Sequence, residues 1–137
     1  MSLMILVLSR EQIDLLKAEA AKNFPVEACA LLFGKLAGDR VTVTKVVVAH
    51  NILESSTRFE VDPMFVFSTL EQAEKEDLDF VGLFHSHPAP AAPSPIDLRY
   101  MKLWDSAIWL ILSTLDGKIA AFQKTDDQLK NIEIVVE

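Results

Sequence analysis

Hydrophobic and polar positions divide this chain into short, clearly bounded segments. The apolar opening at residues 1–8 reads as a strand, too short to span a bilayer before the polar Ser9-Arg10-Glu11. Ser9 with Gln12 three residues later is a capping-box signal. Ile13, Leu16 and Ala20 then recur at helical spacing, which predicts a helix over residues 10–23. Pro25 ends it by barring helical geometry from the residue before it, and residues 29–34 read as a buried strand. Ala37-Gly38-Asp39 is a turn, and the polar/apolar alternation that starts at Arg40 predicts a second strand over residues 40–48, paired with the first as a hairpin.

A polar loop follows at residues 50–56, Arg58-Phe59-Glu60-Val61 alternates again, and Asp62-Pro63 supplies the cap and first-turn proline of a second helix over residues 63–76. Residues 80–84 form an apolar run of the length of a central strand, leading straight into His85. Ser94-Pro95-Ile96-Asp97 starts a third helix whose buried face is Leu98, Met101 and Trp104. Residues 107–113 and 119–123 pair across Asp116-Gly117, and residues 132–136 form a last strand. Hairpins at both ends with a helical crossover between them predict an α/β (α+β) class, a mixed β-sheet packed between helices. No repeat or change of composition divides residues 1–137, so one domain is expected.

Composition narrows the function. A net charge of −7 with no basic cluster argues against a nucleic-acid partner, whose binding draws on clustered Lys and Arg. A single cysteine, Cys29, forms no internal disulfide and removes any Cys-rich metal site; a reducing compartment, by default the cytoplasm, is expected.

The chemistry concentrates in residues 84–97. Side chains at i and i+2 of an extended segment point the same way, so His85 and His87 can present imidazole nitrogens to one point, and Pro88 favours that geometry. Neutral imidazole is a common zinc ligand, and Asp97 in the first turn of the third helix is the candidate third ligand. Three protein ligands with water in the fourth position mark a catalytic rather than a structural zinc site. Pro88, Pro90, Pro93 and Pro95 stiffen the intervening loop. Amide cleavage also needs a group to move protons, and no acid stands beside the histidines. Glu27 reaches them only through tertiary folding and, taken alone, reads as a solvated surface acid. Ser94 is either a helix cap or a donor to an oxyanion, and the cap and ligand roles of Asp97 compete for its carboxylate oxygens.

Together, Pro25-Val26-Glu27-Ala28-Cys29-Ala30-Leu31-Leu32-Phe33-Gly34, His85-Ser86-His87-Pro88 and Ser94-Pro95-Ile96-Asp97 resemble the JAMM, or MPN-plus, zinc metalloproteases. Asn51 and Arg58-Phe59-Glu60-Val61-Asp62-Pro63 are similar to the compact prokaryotic branch of that family, and the likeness spans residues 9–113. The resemblance implies a deaminase-like three-layer fold. It also implies one zinc held by His85, His87 and Asp97, with Glu27 as acid/base, Ser94 as oxyanion donor, and hydrolysis of amide or isopeptide bonds after the C-terminal tail of a ubiquitin-like protein. Nine residues separate His87 from Asp97, one fewer than is usual in the family. The alternative is a non-catalytic scaffold of the same fold that recognises ubiquitin-like proteins. A zinc deaminase is disfavoured because its Pro-Cys-x-x-Cys ligand pair is absent. Cys29 is expected as a buried hydrophobe, His50 as a loop residue, Trp104 and Trp109 as core, and an extended substrate segment is expected to dock beside the sheet.

Overall fold

A computed structural model describes residues 4–104, 106–126 and 128–137. The element order is β1 (Ile5–Leu8), α1 (Arg10–Asn23), β2 (Cys29–Ala37), β3 (Arg40–Ala49), α2 (Pro63–Lys75), β4 (Asp79–His87), α3 (Pro95–Met101), β5 (Ile108–Ser113), β6 (Ile119–Thr125) and β7 (Gln128–Val136). This is the predicted mixed α+β architecture, with the first strand limited to Ile5–Leu8 and Met1, Ser2 and Leu3 outside the described residues. Among the described residues no helix is long and apolar enough to cross a membrane.

The sheet runs β1-β3-β2-β4-β5-β6-β7 and closes, because β1 pairs in parallel with both β3 and β7. Pairing is antiparallel in β2–β3, β2–β4, β5–β6 and β6–β7, and parallel between β4 and β5, which α3 connects.

Period-two alternation sorts the core onto the two faces of this sheet. Ala30 and Leu32 of β2, Phe84 of β4 and Leu110 of β5 pack with Ile13, Leu16 and Ala20 of α1. Their neighbours Leu31, Phe33, Leu83 and Trp109 pack on the other side with Ala73 of α2 and Met101 of α3. The result is three layers, and His85 and His87 share the strand parity of Leu83, which directs them to the α2/α3 face. Register shifts between Phe33 and Gly34 against β3, and between Leu32 and Phe33 against β4, interrupt the alternation. The first leaves Thr44 of β3 unmatched, so the α1 face is served by Val41 and Val43 before it and by Val46 after it.

Local signals behave as expected at the helix starts. Ser9 and Gln12 form the reciprocal capping box, with Gln12 N donating to Ser9 Oγ at 3.0 Å and Ser9 N to Gln12 Oε1 at 2.9 Å. Asp62 caps α2 by accepting from Met64 N at 3.0 Å. The strands are longer than the sequence suggested, since pairing extends beyond the apolar runs. β7 starts at Gln128, in register with Thr125, and β4 continues through both histidines, held by β5 as far as His87 opposite Ser113. Arg58-Phe59-Glu60-Val61 joins no strand; it keeps its alternation in an extended loop, with Phe59 buried and Glu60 exposed. Of α3's expected apolar face, Met101 is buried, and Trp104 lies beyond the helix end, tilted against Phe80 at 5.3 Å.

Gly82 lies where β4 turns from bulge to site. A Cβ there would stand 2.2 Å from the Ile108 carbonyl oxygen, a backbone atom of the paired strand. Gly82→Ala is therefore expected to force β4 and β5 apart and to lower stability by about 1–3 kcal/mol in a denaturant titration; an unchanged midpoint would contradict this close approach.

Candidate metal centre

The two histidines leave the sheet side by side, with ring centroids 5.2 Å apart. Both turn Nε2 toward one atom: Asp97 Oδ2 lies 3.1 Å from His85 Nε2 and 3.8 Å from His87 Nε2. All three residues are buried, and their ligand atoms lie within 4.8 Å of one another.

Asp97 is the third residue of α3, and its capping box with Ser94 fixes it there. Ser94 N donates to Asp97 Oδ2 at 2.9 Å, and Asp97 N donates to Ser94 Oγ at 3.1 Å. The Ser94 amide thus uses one lone pair of Oδ2 and His85 Nε2 faces the other, while His87 Nε2 at 3.8 Å makes no hydrogen bond, so the cap leaves room for a ligand role. Ser94 acts as the cap through its oxygen. Its hydroxyl hydrogen has no protein acceptor among the described residues, and so remains available to donate.

Glu27 is not the surface acid of the isolated reading. It is 2 % exposed and lines, with His87, Ser94, Ser56 and Thr57, a cleft of about 480 Å³. The β2–β4 pairing brings it there: Cys29 lies opposite His85, Ser86 N donates to Ala28 O at 3.0 Å, and Ala28 N donates to Ser86 Oγ at 3.0 Å. Ser86, between the histidines, faces away from them and latches the residue after Glu27. Its position in the His-Ser-His triplet was the only sequence signal for that role.

Two further residues were visible in the sequence only as part of a pattern. Phe59 stacks on the His85 ring with centroids 4.9 Å apart and planes 21° apart, while Trp109 meets the same ring edge-on at 5.6 Å. His85 is thereby oriented by aromatic packing. Asn51, 4 % exposed, ties the intervening loop to Glu27. Cys29 is buried with its thiol toward Ala49 O, His50 is exposed and Trp109 is core, as expected, whereas Trp104, expected as core, is only half-buried against the cluster that holds Trp109. Trp104 and Trp109, with Phe59, Phe67, Leu70 and Tyr100, border a separate apolar cavity of about 400 Å³ behind His85.

The electrostatics are those of crowded, buried titratable groups. Burial, and then the Asp97 charge, push the Glu27 carboxyl up to about 8. Burial followed by Glu27 pushes the Cys29 thiol up to about 12. Burial and the His85 ring hold His87 below the ordinary imidazole range against the pull of Asp97. For Asp97, burial acts upward but is outweighed by the hydrogen bond and charge of His85 and by the Ser94 amide, so it lies below the usual carboxylate range.

Glu27 Oε1, His85 Nδ1 and both ring nitrogens of His87 are buried without a hydrogen-bond partner among the described residues. Each such atom costs about 1–3 kcal/mol when left unpaired. A cation at the convergence point answers the one directed at it, His87 Nε2. Two imidazole nitrogens and a carboxylate oxygen are a donor set suited to zinc. Tetrahedral bonds of about 2.0–2.1 Å place ligand atoms about 3.3 Å apart, close to the 3.1 and 3.8 Å separations here. The residues present fit the metal.

Residues 9–126 match the family described as prokaryotic homologs of the JAB domain. The chain belongs to that family. It is 42% identical over 113 residues to a desampylase of Pyrococcus furiosus, covering 82% of this chain and 77% of that protein. It is 35% identical over 120 residues to a desampylase of Haloferax volcanii, covering 86% and 84%. A protein of Thermus thermophilus named "Probable TtuB-protein conjugate cleaving protease" is 30% identical over 98 residues, covering 70% of this chain and 63% of that one. The solution structure of a Desulfitobacterium hafniense protein superposes with a TM-score of 0.84 at 29% identity, covering 98% of this chain and 93% of the other. With these relatives, the chain is a hydrolase of the JAMM type rather than a scaffold.

The Glu27 environment gives a pH test on metal-free protein. Its carboxyl binds a proton more tightly folded than unfolded, between its ordinary 4.5 and about 8, so this group makes stability fall as pH rises through that window. His87, lowered on folding, acts in the opposite sense near 6.5. Comparison with Glu27→Gln isolates the first effect: the variant should gain on wild type as pH rises, by at most about 1.4 kcal/mol per pH unit. A gap independent of pH in parallel urea titrations would remove the buried, proton-retaining Glu27.

Proposed function

We propose that this chain is a zinc-dependent isopeptidase that hydrolyses the amide or isopeptide bond after the C-terminal tail of a ubiquitin-like protein. The observation that carries the reading is the cleft lined by Glu27, His87 and Ser94, with His87 also one of the three residues, His85, His87 and Asp97, whose ligand atoms lie within 4.8 Å of one another. Its relatives named as desampylases and as a conjugate-cleaving protease support the substrate class.

His85, His87 and Asp97 hold the zinc. Bound there, zinc supplies a Lewis acid that polarises the scissile carbonyl and makes water easier to deprotonate. Glu27 takes the proton of the attacking water and returns it to the leaving amine, a task that suits a carboxyl raised toward neutrality. Ser94 donates its free hydroxyl hydrogen to the oxyanion of the tetrahedral intermediate. The four prolines between residues 88 and 95 keep the wall that carries Ser94 in one shape, so little ordering remains to be done on binding. The substrate tail runs as an extended chain beside the sheet, through the cleft lined by Ser56, Thr57, Pro88 and Ala89, whose side chains are small.

Cleavage of ubiquitin-like protein fusions, linear and lysine-linked, measured with zinc content, tests the assignment. Glu27→Gln should keep one zinc per chain and lose at least about 100-fold in kcat. His85→Ala and His87→Ala should lose both metal and activity, and Asp97→Ala should lose metal with α3 intact. A Glu27→Gln enzyme cleaving at the wild-type rate would sink the mechanism.

A further inference from the structure

Asn51 is a buried polar side chain in a loop, with every hydrogen-bonding position of its amide used. Nδ2 donates to Glu27 O at 3.1 Å and to Arg58 O at 3.1 Å, with Ser55 O at 3.4 Å beside them. Oδ1 accepts from Leu53 N at 3.1 Å and from Glu60 N at 3.2 Å. Two donors and two lone pairs are the whole capacity of an asparagine amide. Glu27 N in turn donates to Ser55 O at 2.8 Å, inside the same loop.

Two of these partners, Arg58 O and Glu60 N, flank Phe59, the ring stacked on His85. A third is the carbonyl of Glu27 itself. One amide therefore holds the backbone of the proton-transfer residue and the backbone of the aromatic residue that orients a metal ligand. These two features arrive from separate parts of the chain, and no other side chain among the described residues bonds both segments.

We infer that Asn51 is a positioning residue of the site, setting Glu27 and His85 in register through Glu27's own backbone and through Phe59. The inference rests on the proposed hydrolysis for its effect on rate, and on the hydrogen bonds alone for its effect on geometry. Asp at this position keeps the two acceptor bonds and loses the two donors; Ala loses all four. A displacement of about 1 Å at a proton-transfer group is enough for a 100-fold loss of rate, whereas the metal ligands stay on β4 and α3, which Asn51 does not touch.

The test uses zinc-loaded full-length wild type, Asn51→Asp and Asn51→Ala. For both variants kcat should fall about 10- to 100-fold with KM within about twofold, and zinc should remain at one per chain. Amide hydrogen exchange should accelerate at Glu27 in both variants and at Leu53 and Glu60 in the alanine variant, with Phe84 and Leu110 unchanged. If the alanine variant does not fold, the near-isosteric aspartate carries the test. Exchange at Glu27 equal to wild type, or kcat equal to wild type, overturns the inference. A wild-type protein that cleaves none of the fusions overturns the hydrolase reading instead, and exchange at Glu27 then decides the role of Asn51 alone.

Discussion

Where β2 runs antiparallel to β4, Cys29 lies opposite His85, and Ala28 and Ser86 exchange hydrogen bonds across 58 positions of sequence. Without this pairing Glu27 has no reason to be near a histidine. With it, Glu27 lines one cleft with His87, and strand parity turns His85 and His87 to the α2/α3 face, where their ligand atoms meet that of Asp97. The latch made by Ser86 secures that contact at the residue next to Glu27.

The cost of this arrangement is electrostatic. Glu27, His85, His87 and Asp97 are all buried, and the protein supplies hydrogen bonds for only some of their atoms. Asp97 is compensated by Ser94 and His85 and lies below the usual carboxylate range; Glu27 has no such partner at Oε1 and is raised to about 8. One lowered and one raised carboxyl thus arise from the same burial, separated by a few hydrogen bonds. A site of this kind trades stability for function.

The candidate ligands were legible because their signals are local. His-x-His before proline and Ser-x-x-Asp at a helix start each require only neighbours in sequence, and so do the Ser9/Gln12 and Asp62 caps. What the sequence left unread depends on partners far away. The parallel pairing of β1 with β7 closes the sheet without leaving any periodic mark on Ile5–Leu8. The bulges near Phe33 exist only relative to β3 and β4, and the extension of β4 through His87 depends on β5. Glu27, Ser86, Phe59 and Asn51 look ordinary one at a time, and their roles follow from which backbone groups the fold sets against them.

X-ray absorption at the zinc edge of the loaded protein most directly tests the zinc centre proposed at His85, His87 and Asp97. Nitrogen and oxygen neighbours at about 2.0–2.1 Å are expected, with the multiple-scattering pattern of two imidazoles and no sulfur. A sulfur neighbour near 2.3 Å, a single imidazole, or failure to take up zinc would contradict it.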